Sequence, residues 1–267
     1  MRHIQLRDGN EIPILGLGTW QLRGEPCIRV VKEAIQIGYR HIDTADGYDN
    51  HKQIQKGIHG FDRKTLFITT KLWYDDLDQP VQQVNRFLEE LGVDYLDVVL
   101  LHWPKNGKPM AEGLIKISEM ESVRSVGVSN FTIQHLEEVI RKGVQPVINQ
   151  VEFHPFLNQQ NLLNYCKQHG IVVTAYSPLA RGEVMKDATL QEISKAHHAS
   201  EPQVALSWLM SKDIVVIPKA SSKNHLENNY NALELTLREA EITKIDQLNQ
   251  GKRLINPSFA EFNHQDV

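Results

Sequence analysis

Cysteine is nearly absent from this 267-residue chain: only Cys27 and Cys166 occur, in no C-x-x-C arrangement. That excludes a disulfide framework and a paired-thiol metal site, and both thiols are expected to be buried, reduced and structural. Nor is there any run of about 18 apolar residues, so no membrane span is expected. Basic clusters are missing too, since 29 Lys and Arg stand against 33 Asp and Glu for a net charge of −4. A nucleic-acid partner is therefore not expected. Met1 runs directly into the polar segment RHIQLRDGNE without a charged n-region and an apolar h-region. No secretory signal is expected, and the predicted location is the cytoplasm. Twelve histidines are present, none in an H-E-x-x-H pattern, and no metal is expected. Linkers, repeats and low-complexity runs are also lacking, and a composition 41% hydrophobic and 23% charged can fill a sizeable core. One domain over residues 1–267 is the simplest expectation.

What the chain does have is a regular alternation of short apolar runs and helix-like stretches. HIQL and EIPI flank Arg7-Asp8-Gly9-Asn10, a hairpin signal expected to cap the bottom of the fold. Eight β-branched runs follow, at 14–19, 39–43, 65–71, 96–102, 125–130, 146–150, 171–177 and 214–219. Helical patterns lie between them. Pro80 opens one, with Val81, Val84, Leu88 and Leu91 as its stripe and Gly92 as its stop. Others place Ile28, Val31, Ala34 and Ile35 before Gly38, Leu136, Val139 and Ile140 before Gly143, and Leu162, Leu163 and Cys166 before Gly170. Two more are expected near 187–199 and 202–211, and a last one near 238–249. Strand then helix, repeated eight times, predicts the α/β class and a (β/α)8 TIM barrel of parallel strands.

The eight runs end in Thr19-Trp20, Asp43, Lys71, His102, Ser129-Asn130, Gln150, Tyr176-Ser177 and Lys219, and Tyr48 stands five positions past Asp43. In such a barrel the carboxyl ends of the strands converge on one pocket. A single polar strand end, such as Ser129, Gln150 or Ser177, needs no explanation beyond entry into solvent. An acid, a phenol, an amine and an imidazole delivered to one rim are a different matter. Lys71 needs a counter-ion at a buried strand end, and Asp43 is the candidate. The Lys71 charge is expected to pull the Tyr48 phenol below its ordinary value of about 10, so that Tyr48 protonates a developing oxyanion while His102 orients it. That is machinery for reducing a carbonyl. A hydride source is then required, yet Gly16-Leu17-Gly18-Thr19-Trp20-Gln21 stops short of G-x-G-x-x-G. A barrel mouth could instead hold a nicotinamide, with Tyr176 stacking on the ring, Ser129, Asn130 and Gln150 as amide partners, and Lys219 on a phosphate.

The segments LGLGTW, HIDTADGYDN, TTKLW, LLHWP, VRSVGVSNF, NQVEFHP, AYSPLARG and VIPKA run in order through most of the sequence. Through them the chain resembles the aldo-keto reductase family. The resemblance implies an NAD(P)H-dependent reductase with Asp43, Tyr48, Lys71 and His102 as its catalytic tetrad. It further implies coenzyme contacts from Thr19, Asp43, Ser129, Asn130, Gln150, Tyr176, Ser177, Leu179, Lys219, Ser222, His225 and Asn229. Trp20, Tyr48, Trp73, His102 and Trp103 match its substrate-pocket positions, while mid-helical Trp208 is assigned to the core. NADPH-specific members carry Ser, Arg and Glu-Asn where this chain has Ala220, His225, Asn228 and Asn229. NADPH is still the expected coenzyme, through Lys219 and Ser222, with NADH as the alternative. A short connection between His102 and Ser129 and a short tail after Lys252 predict an open mouth and small carbonyl substrates, as in bacterial reductases of diketo-gluconate and methylglyoxal. A monomer is expected. Two other readings are a coenzyme-binding regulatory subunit with little turnover and a Schiff-base aldolase using Lys71.

Overall fold

Residues 2–262 are described in a computed structural model; Met1 and the last five positions of the expected 1–267 domain lie outside the described residues. Strands β1 (His3–Gln5) and β2 (Glu11–Pro13) pair antiparallel with Ile4 opposite Ile12. Gly9 turns the chain between them at φ 90°. Leu6 and Ile12 are buried against Phe67, Val98, Val147, Ile148 and Val215. Phe67, Ile148 and Val215 begin their strands, so the hairpin plugs the amino-terminal mouth of the barrel, as expected.

Eight parallel strands follow in sequence order: β3 (Leu17–Gly18), β4 (His41–Asp43), β5 (Phe67–Leu72), β6 (Leu96–Leu101), β7 (Val123–Ser129), β8 (Ile148–Glu152), β9 (Val172–Tyr176) and β10 (Val215–Val216). Each falls in or overlaps one of the predicted runs. Parallel bridges from Leu15 to Val216 and from Gly18 to Lys219 join the first strand to the last and close the ring. Closure depends on a missing side chain, because a Cβ on Gly18 would sit 2.5 Å from the Ile217 carbonyl oxygen. A closed ring has no free edge to pair with another chain.

The helices outside the ring are α1 (Gly24–Ile37), α2 (His51–Ile58), α3 (Pro80–Leu91), α4 (Met110–Ser118), α5 (Ile133–Arg141), α6 (Gln160–Gln168), α7 (Ala188–Ala196), α8 (Glu201–Ser211), α9 (Lys223–Tyr230) and α10 (Glu239–Asp246). Cys27 and Cys166 are buried on α1 and α6, in no disulfide. In α3 the buried row is Pro80, Val84, Phe87 and Leu91, while Val81 is exposed. The row steps by four, three and four residues, which keeps it on one side of a 3.6-residue helix; the expected stripe through Val81 and Leu88 lay one position to the side. Trp208 is fully buried, as predicted, and its indole N–H reaches Asp246 at 2.8 Å. Each aliphatic or aromatic side chain sealed between ring and helices contributes about 1.5–3 kcal/mol. No helix among the described residues is long and apolar enough to cross a membrane.

Candidate functional site

The carboxyl ends of β4 and β5 bring together the first two site residues. Lys71 has no exposed surface, and its Nζ donates to Asp43 Oδ1 at 2.6 Å and to the Thr44 carbonyl at 2.7 Å. The other Asp43 oxygen accepts from Gln150 Nε2 at 2.7 Å. Burial pushes the Asp43 carboxyl up and the Lys71 ammonium down, and their mutual attraction works against both shifts. Such a pair holds because every charge has a partner and extra hydrogen bonds complete the geometry.

Tyr48 ends a short 3-10 turn, Asp46–Tyr48, that follows β4. Lys71 Nζ lies 5.1 Å from its ring centroid, and the His102 ring meets it edge-on at 5.8 Å. The phenol is raised well above its ordinary value, first by burial and then by the negative charge of Asp43 and by Tyr176. This corrects the expectation of a lowered phenol: burial disfavours the phenolate most, and Asp43, paired with the ammonium that was to do the lowering, adds to it, so Tyr48 keeps its proton. His102 follows β6, with its N–H on the Leu72 carbonyl at 2.9 Å and its carbonyl accepting from Asn130 Nδ2 at 2.9 Å. Burial, then the nearby Lys71 charge, drive its imidazole well below the usual histidine value. It is neutral, and its buried Nδ1 has no partner among the described residues.

The opposite rim is built from β7, β8 and β9. Ser129 Oγ donates to the Gln150 carbonyl at 2.9 Å, and the Tyr176 hydroxyl donates to Asn130 Oδ1 at 2.7 Å. Asn130 and Ser177 turn the chain at these strand ends with φ of 63° and 48°. Left-handed backbone costs a non-glycine residue about 1–2 kcal/mol, and asparagine tolerates it best. Both rims face one cavity of about 280 Å³. Of the expected residues, Thr19, Trp20, Asp43, Tyr48, Trp73, His102, Trp103, Ser129, Asn130, Gln150, Tyr176, Ser177 and Lys219 line it. Lys71 lies outside the wall, bonded to Asp43. Leu179, Ser222, His225 and Asn229 are also outside it. Ser222 instead caps α9, accepting the His225 N–H at 3.3 Å, while His225 is exposed and Asn229 buried.

Gly18, Gly47, Ile217 and Ile255 line the cavity without having been singled out. Ile255 comes from the tail, whose shortness after Lys252 predicts an open mouth. The tail instead folds back. Buried Glu152 accepts the N–H groups of Leu254 at 2.7 Å and Ile255 at 2.9 Å, and Phe259 packs edge-on against Trp73 and Trp103 at 5.8 and 5.2 Å. The expected open mouth is thus partly walled, a contact between segments about a hundred residues apart that no local pattern encodes. Trp20, 45% exposed, stands at the rim.

The sequence pattern of the Aldo/keto reductase family matches residues 14–250. The chain is 39% identical over 262 residues to a 9,11-endoperoxide prostaglandin H2 reductase of Trypanosoma cruzi, covering 94% of this chain and 93% of that protein. It is 36% identical over 260 residues to methylglyoxal reductase DkgA of Escherichia coli K12, covering 94% of each. The crystal structure of an aldo/keto reductase from Brucella melitensis superposes with a TM-score of 0.88 at 37% identity, over 93% of this chain and 99% of that one.

Proposed function

The chain belongs to the aldo/keto reductase family, and from that premise we propose that it is a single-domain, cytoplasmic, monomeric enzyme that reduces small aldehydes and ketones with NADPH. The observation that carries the reading is the buried Asp43–Lys71 pair set beside Tyr48, with Tyr48 and His102 lining one cavity. Bound reduced nicotinamide supplies the hydride. The residues present fit that group: Tyr176 lines the cavity, tethered through its hydroxyl to Asn130, and Ser129, Asn130 and Gln150 offer a hydroxyl and two amides beside it. Lys219 in the wall, Thr19 and Ser177 beside it, and Leu179, Ser222, His225 and Asn229 beyond it would hold the remainder. Preference for the 2′-phosphate rests on Lys219 and Ser222, with His225 a weaker cation at neutral pH than an arginine would be.

Tyr48 is the proposed proton donor. In water a phenol, at about 10, is far more acidic than an alcohol, which is close to water at about 15.7, and the burial that raises Tyr48 also disfavours an alkoxide forming at the same site. Proton transfer to the oxygen of the reduced carbonyl is therefore downhill. Neutral His102 can donate a hydrogen bond to that oxygen without carrying a charge, and the Lys71 ammonium adds a fixed positive field. Trp20, Trp73 and Trp103, joined by Ile255, give the substrate an apolar enclosure suited to compact carbonyls of the methylglyoxal or keto-sugar kind. An aldolase reading is less favoured, because Lys71 Nζ is committed to two acceptors and does not reach the cavity wall. The test is absorbance at the reduced-nicotinamide band with NADPH and NADH in turn, against small aldehydes, keto-acids and keto-sugars. Carbonyl-dependent NADPH oxidation is expected. Coenzyme binding without turnover would favour a regulatory subunit, and borohydride trapping of a carbonyl substrate would favour the aldolase.

A further inference from the structure

A chain of polar contacts behind the cavity runs from α3 to the turn that carries Tyr48. Arg86 on α3 donates from Nη2 to Asp46 Oδ1 at 2.8 Å and from Nη1 to Glu90 Oε1 at 3.3 Å. Glu90 Oε2 accepts from His51 Nδ1 at 3.0 Å, and His51 Nε2 accepts from the Thr70 hydroxyl at 2.9 Å. Burial holds His51 below the usual histidine value, in keeping with this neutral pattern of one donor and one acceptor. Asp46 opens the 3-10 turn that Tyr48 closes, His51 opens α2 three positions later, and Thr70 precedes Lys71 in β5. The network therefore grips the Tyr48 segment on both sides and ends on β5, at the residue before Lys71.

Ligand atoms of Asp46, His51 and Glu90 all lie within 4.8 Å of one another, as in a metal site. Arg86 argues against that reading, since its guanidinium already pairs with both carboxylates and would repel a divalent ion. The turn needs such an anchor. It is three residues long, has no side-chain cap, contains Gly47, and leads into Asp49 at φ 53°. Isolated turns of this length have little stability of their own.

We infer that Arg86 is a positioning residue for the reduction chemistry, fixing through Asp46 the turn that aims the Tyr48 hydroxyl. The inference rests on the proton-donor role proposed for Tyr48. Without Arg86, the carboxylates of Asp46, Glu90 and neighbouring Asp76 would face one another uncompensated, and the turn would shift outward. A displacement of 1 Å at a reacting group costs about 100-fold in rate.

Arg86 is partly exposed, so Arg86→Met is expected to fold with a nearly unchanged Tm. Its kcat should fall by about tenfold or more, while KM and the NADPH Kd stay within about twofold. Arg86→Lys, which keeps the charge but not the fork, should fall between. The decisive arm is a double-mutant cycle: Arg86→Met should cost little further in a Tyr48→Phe background, because it acts through the phenol. Wild-type kcat in Arg86→Met overturns the inference, as does a loss of the same size in both backgrounds. Should Arg86→Met not fold, Asp46→Asn cuts the same clamp and must show the same pattern; wild-type kcat there also overturns it. If Tyr48→Phe itself keeps full turnover, the proton-donor reading fails first. If it loses turnover while Arg86→Met does not, only the clamp fails.

Discussion

Lys71 carries its charge with no exposed surface, and it does so because Asp43 and the Thr44 carbonyl take up its hydrogens. Replacing it with methionine strands the Asp43 carboxylate among buried neighbours. We predict that Lys71→Met loses about 3–5 kcal/mol of stability, measured by urea unfolding, and loses turnover with it. Adding Asp43→Asn should restore part of the stability but none of the activity; a single mutant as stable as the wild type would show that the pair is not what holds this floor. Asp43, Tyr48, Lys71 and His102 were legible in sequence because each follows or ends a β-branched run, so topology alone delivers them to one rim. The ionisation of Tyr48 was not legible. It depends first on burial and then on Asp43 lying near the phenol in space, and spacing along the chain gives neither.

Helix α3 stops at Gly92, which takes φ 62° and donates its N–H to the Leu88 and Glu89 carbonyls. A Cβ there would also meet Gln55 Nε2 at 2.4 Å, although that side chain can swing aside. Gly92→Ala is therefore expected to cost about 1–2 kcal/mol, chiefly from the left-handed backbone; thermal unfolding measures it, and an unchanged or raised Tm would contradict it. Elements with such stops were readable in advance, as were the eight strands and the hairpin. Helices α2, α4 and α9 were not: each is only eight or nine residues long, and Gly57 and Gly113 interrupt the first two. The tail at 254–262 was missed for a different reason: it has no regular structure, and it is held by Glu152 and by aromatic contacts across the fold. Strands β3 and β10 are shorter than their predicted runs because irregular backbone at Gly16, Gly18 and Pro218 closes the ring there.

At the scale of the whole molecule, histidines whose imidazoles are held below the usual value make the fold acid-sensitive. Burial lowers His41 to about 3, and His51 and His102 also lie below the usual value. Unfolded, each binds a proton below pH about 6.5, whereas the folded protein resists doing so, so stability falls as pH drops, by up to about 1.4 kcal/mol per pH unit per histidine. Glu152 adds to this, because hydrogen bonds from His154 and the tail overcome burial and hold its carboxyl below the usual value, a contribution lost as acid protonates it. Urea midpoints should change little above pH 7 and decline steadily from pH 6 to pH 5. A constant midpoint across that range would mean these imidazoles are charged in the folded protein.

On the proposed function, the whole arrangement, from the plugged barrel to the ion pair on its floor, serves to hold one protonated phenol beside a reducible carbonyl. The direct measurement is kcat for methylglyoxal with NADPH in the wild type and in Tyr48→Phe, alongside the NADPH Kd of each. We predict that kcat falls by about 100-fold or more while the Kd is essentially unchanged. Comparable kcat in the two proteins would contradict the account.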